Sequence, residues 1–484
     1  MDEIESNESS EKSPYLKLSV SRVAFLPAKS GMSISPIVAG VLAALRKSQT
    51  SVGILKIGAF LSQLTHYRRL SGKLSFSLHP GLVESPGELL PSLVRASAGA
   101  EVILIEGEQG IRDRFPLNYG VLSSQQIVAA LQTPTILVID GQGYRESISS
   151  LVSGFVAREE FHGISGVIVV NLGEEKEAQE RSLQDFELET GVRLVGLISK
   201  TEKPLVDFSE TLEEGSGVSR PRLLNSLELV ISSINLEAVR QIASRAPQLQ
   251  VPRSFTATKS RVCRIAVADD SAMNEMFQEN LDLLRREGAE LVAFSPQSDE
   301  KLPSHVRGIY LPGGRLEKHA QGLSANSAMR DSIKGFIKDG GTLYAEGSSL
   351  AYLFSNVSNS KGQSYPMLDL IKGSATYLNQ ESNIEKHVFV AQSFMPNFLL
   401  DDKENLKGLR PSRWAYRVEE QIQFAFRALT LEQLAATEAE LEQNPPITDG
   451  FMPRHNVLGT AFNFSWATNS VVAERFVKFA LGQS

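Results

Sequence analysis

Residues 308–353 read GIYLPGGRLEKHAQGLSANSAMRDSIKGFIKDGGTLYAEGSSLAYL. Gly308 to Leu311 is an apolar run of strand length, Pro312-Gly313-Gly314 a turn, Ser327 to Lys338 a helical pattern, and Thr342 to Ala345 a second strand-length run. The same alternation extends towards the N-terminus: Arg264 to Ala268 reads as a strand, Gln278 to Glu287 as a helix and Leu291 to Phe294 as a strand. Strands alternating with helices predict a parallel sheet covered on its faces. Beyond Leu353 the strand patterns are mixed, and Val471 to Ala480 closes the series as a helix. Ala425 to Gln443, charged and rich in Ala and Leu, reads as a helix with a solvated face.

A second α/β series precedes this one. Its strands are Leu18 to Leu26, Val52 to Ile57, Val102 to Glu106, Thr135 to Asp140, Gly166 to Val170 and Leu194 to Ile198, with a loop at Gly31 and a helix from Pro36 to Arg46. A helix over Leu223 to Ala246 ends this half. PQLQVPRSFTATKSR, residues 247–261, has neither helical nor strand period and reads as a linker. The expected organisation is a disordered acidic tail (1–15), a first domain (16–246), the linker, and a second domain (262–484). The ~150 residues of an average domain would have suggested three.

Composition narrows the function classes. The 484 residues carry 49 Lys+Arg against 56 Asp+Glu, a formal charge of −7, which argues against a general nucleic-acid binder. With 42% apolar and 22% charged residues a core can form without disulfides. The single cysteine, Cys263, can form neither an internal disulfide nor a Cys-based metal cluster, which fits a reducing compartment. MDEIESNESSEKSP at the start is the reverse of a signal peptide, and no apolar run is long enough for a membrane span. The expected location is cytoplasmic.

The motifs of the second half are more specific than its pattern. IYLPGGRLEKHAQGLSANSAMR, GGTLYAEGSSLAYL and the upstream AVADDSAMNEMFQENLDLLRREGAELVAFSPQSDEKLP resemble the glutamine amidotransferase domain of the cobyrinate a,c-diamide synthase family. The order of motifs matches over nearly the whole chain. The resemblance implies two doubly wound α/β domains: an N-terminal P-loop NTPase-like, dethiobiotin-synthetase-like domain and a C-terminal class I glutamine amidotransferase-like domain. It also implies ATP, magnesium and a tetrapyrrole carboxylate as the family's reactants.

The reactive residues of that family are not all present. Its elbow cysteine attacks the glutamine amide, a histidine on a late strand takes the thiol proton, and the glycines of the "PGG" turn hold the oxyanion. The elbow here is Tyr344-Ala345-Glu346-Gly347-Ser348-Ser349, so Gly347 stands at the cysteine. The flanking NVLGTAF and VVAERFV put Asn463 at the histidine. Gly313 and Gly314 of the oxyanion turn persist. Ser348, one position past the elbow, has no evident base; His455 reads as a solvent-exposed histidine, and Cys263 as a structural thiol beside a core strand. The family's "GHEFHYS" segment aligns with residues 409–416, keeping aromatics at Trp414 and Tyr416 without its histidines or glutamate.

The first half shows the same erosion. Its phosphate loop is Pro27-Ala28-Lys29-Ser30-Gly31-Met32-Ser33-Ile34-Ser35, with register set by the following VAGVLAAL. A phosphate loop needs Gly for close backbone approach, Lys for the β/γ oxygens and Ser/Thr on magnesium. Ile34 stands at the lysine, Ser33 at the preceding glycine, and Ser35 keeps the hydroxyl. Lys29 sits where deviant loops of the form "KGGxGKT" carry an extra lysine. IEGEQGIRD, residues 105–113, keeps Glu106 and Asp113, and the resemblance makes Glu106 a magnesium carboxylate beside Ser35. Asp140 ends the next strand. The "FKVGPDYIDP" segment reads Lys56-Ile57-Gly58-Ala59-Phe60-Leu61-Ser62-Gln63, without either acid. At the purine-contacting strand end an ungapped alignment puts Val170 at the asparagine, with Asn171 next to it. The candidate cofactor-binding residues are therefore Lys29, Gly31, Ser35 and Asp140, and the metal candidates Ser35 and Glu106. Against this stands the plainer reading that such carboxylates cap helices and loops, and that Gly31, Gly107, Gly110, Gly313 and Gly314 serve backbone geometry.

Loss at four places, the phosphate lysine, the elbow cysteine, the base histidine and the substrate-loop acids, favours a catalytically inactive homologue that binds or scaffolds. Its expected partners are a tetrapyrrole ligand, an active relative or other subunit, and a homo- or hetero-dimer mate. The competing expectation is a working amidoligase that uses glutamine or ammonia.

Overall fold

The computed structural model describes residues 14–58, 61–83, 86–113, 122–144, 147–158, 163–172, 183, 185–201, 205–206, 220–252, 259–359, 361–378, 388–410 and 413–483. The expected disordered tail lies almost wholly outside them. Internal contacts divide the chain into an N-terminal unit ending at residue 257 and a C-terminal unit from 258 on, apart from two short N-terminal segments grouped with the latter.

The N-terminal unit is built on a seven-stranded sheet among the described residues, in the spatial order Ser75–Ser77, Val52–Lys56, Val102–Glu106, Ser21–Pro27, Thr135–Asp140, Ile164–Leu172, Arg193–Ser199. Every pair is parallel. The central strands are buried along their length, as VILIE of Val102–Glu106 shows, because helices cover both faces of such a sheet. Helix Ser35–Lys47 packs Ile37, Val38, Val41 and Leu42 into the core with Val230 and Val239.

Two expectations need correction in this unit. The helix over Leu223 to Ala246 is broken into Arg220–Ser233 and Leu236–Ser244, because the Asn235 side chain accepts from the Ala238 N–H and caps a new helix. Residues 249–252 of the expected linker form a strand, Leu249–Pro252, antiparallel to Tyr15–Leu18. The linker is anchored further back as well. Arg22, fully buried, donates to the carbonyls of Leu131, Gln132 and Pro247 at 3.0, 3.2 and 2.8 Å. Burial pulls its guanidinium down to about 10.

Among the described residues the C-terminal unit has a ten-stranded mixed sheet. Five strands are parallel, in the order Ala289–Phe294, Cys263–Ala268, Gly308–Leu311, Thr342–Ala345, Val457–Gly459. Antiparallel pairing continues through Ile447–Arg454, Gln423–Thr430, Val388–Ser393, Asn405–Leu409 and Asn463–Phe464. A separate sheet, four-stranded among the described residues, runs Ser364–Pro366, Phe354–Ser358, Ile371–Tyr377, Trp414–Val418. The expected helix over Ala425 to Gln443 is wrong for its first part. Gln423–Thr430 is a strand that buries Ala425, Phe426, Ala428 and Leu429 between two partner strands, and only Glu438–Gln443 is α-helical. Burial between strands outweighs the helix propensity of Ala and Leu.

Candidate functional site

Three strand ends of the C-terminal unit converge. Gly308–Leu311 delivers the turn Pro312-Gly313-Gly314, Thr342–Ala345 delivers Glu346 and Gly347, and Asn463 opens the short strand Asn463–Phe464. Gly347 has φ +60°, the left-handed backbone of a tight strand-to-helix elbow. A Cβ on it would come within 3.0 Å of the Asn463 amide oxygen, closer than real Cβ contacts, and 3.2 Å from the Gly313 Cα. Asn463 is fully buried, and its Nδ2 donates to the Glu275 carbonyl at 2.8 Å. That bond orients the amide, leaving Oδ1 directed at Gly347 without a conventional donor. The Gly347 Cα–H, lying along the missing Cβ direction, faces this oxygen as a weak donor.

The Pro312-Gly313-Gly314 turn is engaged by its own chain. The Gly314 N–H donates to Ser348 Oγ at 2.9 Å, and the Ser348 hydroxyl donates back to the Gly314 carbonyl at 2.9 Å. The hydroxyl of Ser349 bonds the Pro312 carbonyl. Gly313 bridges Glu275, whose N–H donates to the Gly313 carbonyl at 2.8 Å. A Cβ on Gly314 would collide with the Ala272 backbone, so this glycine is needed for close packing of two chain segments. Beneath the elbow, Glu346 is fully buried and accepts from the Tyr310 and Tyr344 hydroxyls at 2.6 and 2.9 Å. Burial pushes its carboxyl up to about 8 against these hydrogen bonds, so it is neutral near pH 7.

The other candidates lie apart from this arrangement. His455 is exposed at the turn after Ile447–Arg454. Cys263, half-buried, starts a core strand, and burial pushes its thiol up. Trp414 packs edge-on against Tyr377, while Tyr416 stacks on Phe354, both as core.

In the N-terminal unit the structure brings Ser35 and Glu106 together: the Ser35 hydroxyl donates to Glu106 Oε1 at 2.6 Å. Two further groups were not foreseen. The Lys56 ammonium lies 2.6 Å from the same oxygen, and the Tyr67 hydroxyl donates to Oε2. Lys56 and Glu106 are 2% and 1% exposed. A lysine ending the buried strand VGILK needs a counter-charge, and that was the available sequence signal. Ile34, at the phosphate-lysine position, is buried in the core, and Pro36 removes an N–H from the first turn of the helix. Gly31 has φ +79°. Lys29 pairs with Asp140 at 3.0 Å, and Asn171 Nδ2 reaches the same carboxylate at 3.2 Å. Burial raises Asp140, but hydrogen bonds from Lys29, the Gln142 N–H and Asn171 outweigh it and hold the carboxyl below its usual range.

With the arrangement in view, its relatives can be compared. The CobB/CobQ-like glutamine amidotransferase domain model matches residues 264–408. Over 472 residues, 96% of this chain and 100% of the relative, the sequence is 26% identical to a cobyrinate a,c-diamide synthase of Leptospira interrogans serogroup Icterohaemorrhagiae serovar Lai. That of Methanosarcina acetivorans is 29% identical over 70% of this chain and 71% of its own, and that of Thermoplasma volcanium 26% over 95% and 97%. Along most of its length the chain is similar to cobyrinate a,c-diamide synthases. Gly347 and Asn463, 116 positions apart in the chain, are adjacent in space.

The residues that would hold the family's magnesium, Ser35 and Glu106, are bonded to each other, and Glu106 also to Lys56. Both oxygens of Glu106 accept from protein donors, one of them an ammonium, and a divalent ion on that carboxylate would face a like charge. Among the described residues no three His, Cys, Asp or Glu cluster as metal ligands.

Proposed function

We propose that this chain is a catalytically degenerate member of its family, acting as a binding or scaffolding protein. The observation that carries this reading is the Asn463 amide packed over Gly347. Glycine supplies no nucleophile, and a neutral amide accepts no thiol proton near pH 7. The space a nucleophile would need is taken by the residue standing in for its base. The turn that would hold an oxyanion spends its Gly314 N–H on Ser348.

Purified protein supplied with glutamine, ATP, magnesium and a corrin or sirohydrochlorin-type acceptor is expected to release neither glutamate nor amide product. Turnover at enzyme-like rates would overturn the reading. Two roles remain for the scaffold. A tetrapyrrole ligand predicts a Soret-band shift on adding a corrin or metalloporphyrin; a non-catalytic subunit predicts co-purification with an active relative from the native host. Among the described residues no helix is long and apolar enough to cross a membrane.

The second reading, an amidoligase using free ammonia, draws on the retained Ser35–Glu106 bond and the Lys29–Asp140–Asn171 cluster. It requires magnesium-ATP to bind, and calorimetry showing no heat with ATP removes it.

A further inference from the structure

Away from the strand ends described above, the N-terminal unit carries a groove of about 600 Å³ lined by Ser147, Ser149, Ser150, Ser153 and Glu189. SISSLVSGFV forms the helix Ser147–Val156, whose Ile148 and Val152 are buried in the core. Ser147, Ser150 and Ser153 follow one another at intervals of three residues, which sets them in a row along the helix surface. The short helix Phe186–Thr190 packs beside it, with Phe186 and Thr190 buried and Glu189 exposed.

Ser149 distinguishes this row from a solvated serine face. It is 5% exposed, and its Oγ is closed from solvent with no hydrogen-bond partner among the described residues. A serine within a helix ordinarily bonds a carbonyl of the preceding turn or points to water. Ser149 does neither. A buried hydroxyl without a partner is costly, and alanine would avoid that cost, so its presence calls for an occupant that bonds it. The side chain lines the groove, and rotation about χ1 turns the hydroxyl towards such an occupant.

The chemistry of the wall selects the occupant. Every polar side-chain atom on it is an oxygen, and its one formal charge is the Glu189 carboxylate. An anion would meet that charge with hydroxyl hydrogens as its only side-chain donors. A divalent cation prefers six or more oxygens, several from carboxylates, and no three acidic, His or Cys side chains cluster as metal ligands among the described residues. An alkylammonium brings one positive charge and three donors, which carboxylate and hydroxyl oxygens accept. Three residues of helix rise about 4.5 Å, roughly the interval between nitrogens separated by three methylenes. A row of hydroxyls at that pitch suits several amines in line.

We propose that this groove binds a linear polyamine, Glu189 taking one ammonium while Ser149, Ser150 and Ser153 accept from the others. The site shares no residue with the elbow or the phosphate loop, so glutamate release in the activity assay would overturn the degenerate reading and leave this proposal standing.

The test titrates the full chain with spermidine by calorimetry at about 0.15 M salt, which screens diffuse attraction to a chain of charge −7. Wild type is expected to bind one spermidine per chain. Ser149→Ala should weaken binding about tenfold, as for loss of a hydrogen bond to a charged group. Its melting temperature without spermidine should equal or exceed that of wild type, because only an unsatisfied hydroxyl is removed. Glu189→Gln should also weaken binding about tenfold. Asp185→Asn removes a neighbouring exposed charge that does not line the groove, and should leave binding unchanged. Absence of saturable binding to wild type, unchanged affinity in Ser149→Ala, or equal losses in Asp185→Asn and Glu189→Gln would overturn the proposal. Glycerol binding as tightly as spermidine would do the same, since the carboxylate would then play no part.

Discussion

The side-chain amide of Asn463 fills the space in which a side chain on Gly347 would begin. The backbone at Gly347 turns at φ +60°, and glycine presents no side chain there. Each residue makes the other possible. Glycine leaves room for the amide, and the amide, held by the Glu275 carbonyl, closes the room.

The two positions should therefore be energetically coupled. Gly347→Ala is expected to cost about 3 kcal/mol, from left-handed strain plus displacement of Asn463 from Glu275. In an Asn463→Ala background the same change should cost only about 1 kcal/mol. Urea denaturation of the four proteins measures the cycle, and additivity within about 0.5 kcal/mol would refute the coupling. Gly347→Cys alone should release no glutamate from glutamine, because it restores a thiol without a base.

Ser348 offers no replacement nucleophile. Its hydroxyl is committed to the Gly314 carbonyl, and its oxygen already accepts from the Gly314 N–H. A fluorophosphonate probe is expected to leave it unlabelled. Mass-spectrometric detection of adduct on Ser348 would show that this pairing does not hold. Ser348→Ala should cost about 1–2 kcal/mol by stranding that N–H.

Glu346 gives the stability of the C-terminal unit a pH dependence of defined sign. Its folded carboxyl is raised to about 8 by burial, against an unfolded value near the ordinary 4.5. Its stabilising contribution is therefore complete below about pH 4.5 and is lost as pH rises towards and through 8, at up to about 1.4 kcal/mol per pH unit. Glu317, raised to about 7, and Asp449, raised to about 6, both by burial, act in the same direction. Chemical denaturation between pH 5 and 8 should show a shallower decline for Glu346→Gln than for wild type. Parallel profiles would contradict the assignment.

Arg22 bonds three carbonyls on two chain segments, two of them at the end of helix Ser124–Ala130 and the third at Pro247. Arg22→Met should cost about 3 kcal/mol, since the Gln132 and Pro247 carbonyls lose the guanidinium donor and Leu131 keeps only the Thr133 hydroxyl. Arg22→Lys, without the planar fork, should recover only part. Melting curves indistinguishable from wild type would mean that these contacts add nothing.

Much of the fold was legible because buried parallel strands are written as short apolar runs between breakers. Val102–Glu106 and Thr135–Asp140 were bounded correctly for that reason. The strand Thr342–Ala345 that leads into Gly347 was bounded correctly as well. The strand Gln423–Thr430 was hidden because Ala and Leu also favour helix, and what makes it a strand is pairing with Val388–Ser393 and Ile447–Arg454. The strand Leu249–Pro252 was hidden for the same reason: its partner Tyr15–Leu18 lies more than two hundred residues earlier.

Residue chemistry alone was enough to establish that a glycine cannot attack and that an asparagine cannot act as base. Those statements hold in any conformation. What occupies the vacated positions depends on distances between strand ends remote in sequence. Lys56, Tyr67 and Ser35 meet on Glu106, and Asn463 reaches both Glu275 and Gly347, only once the parallel sheets have formed. A charge or an amide finds its partner through space, and chain order carries no record of that distance.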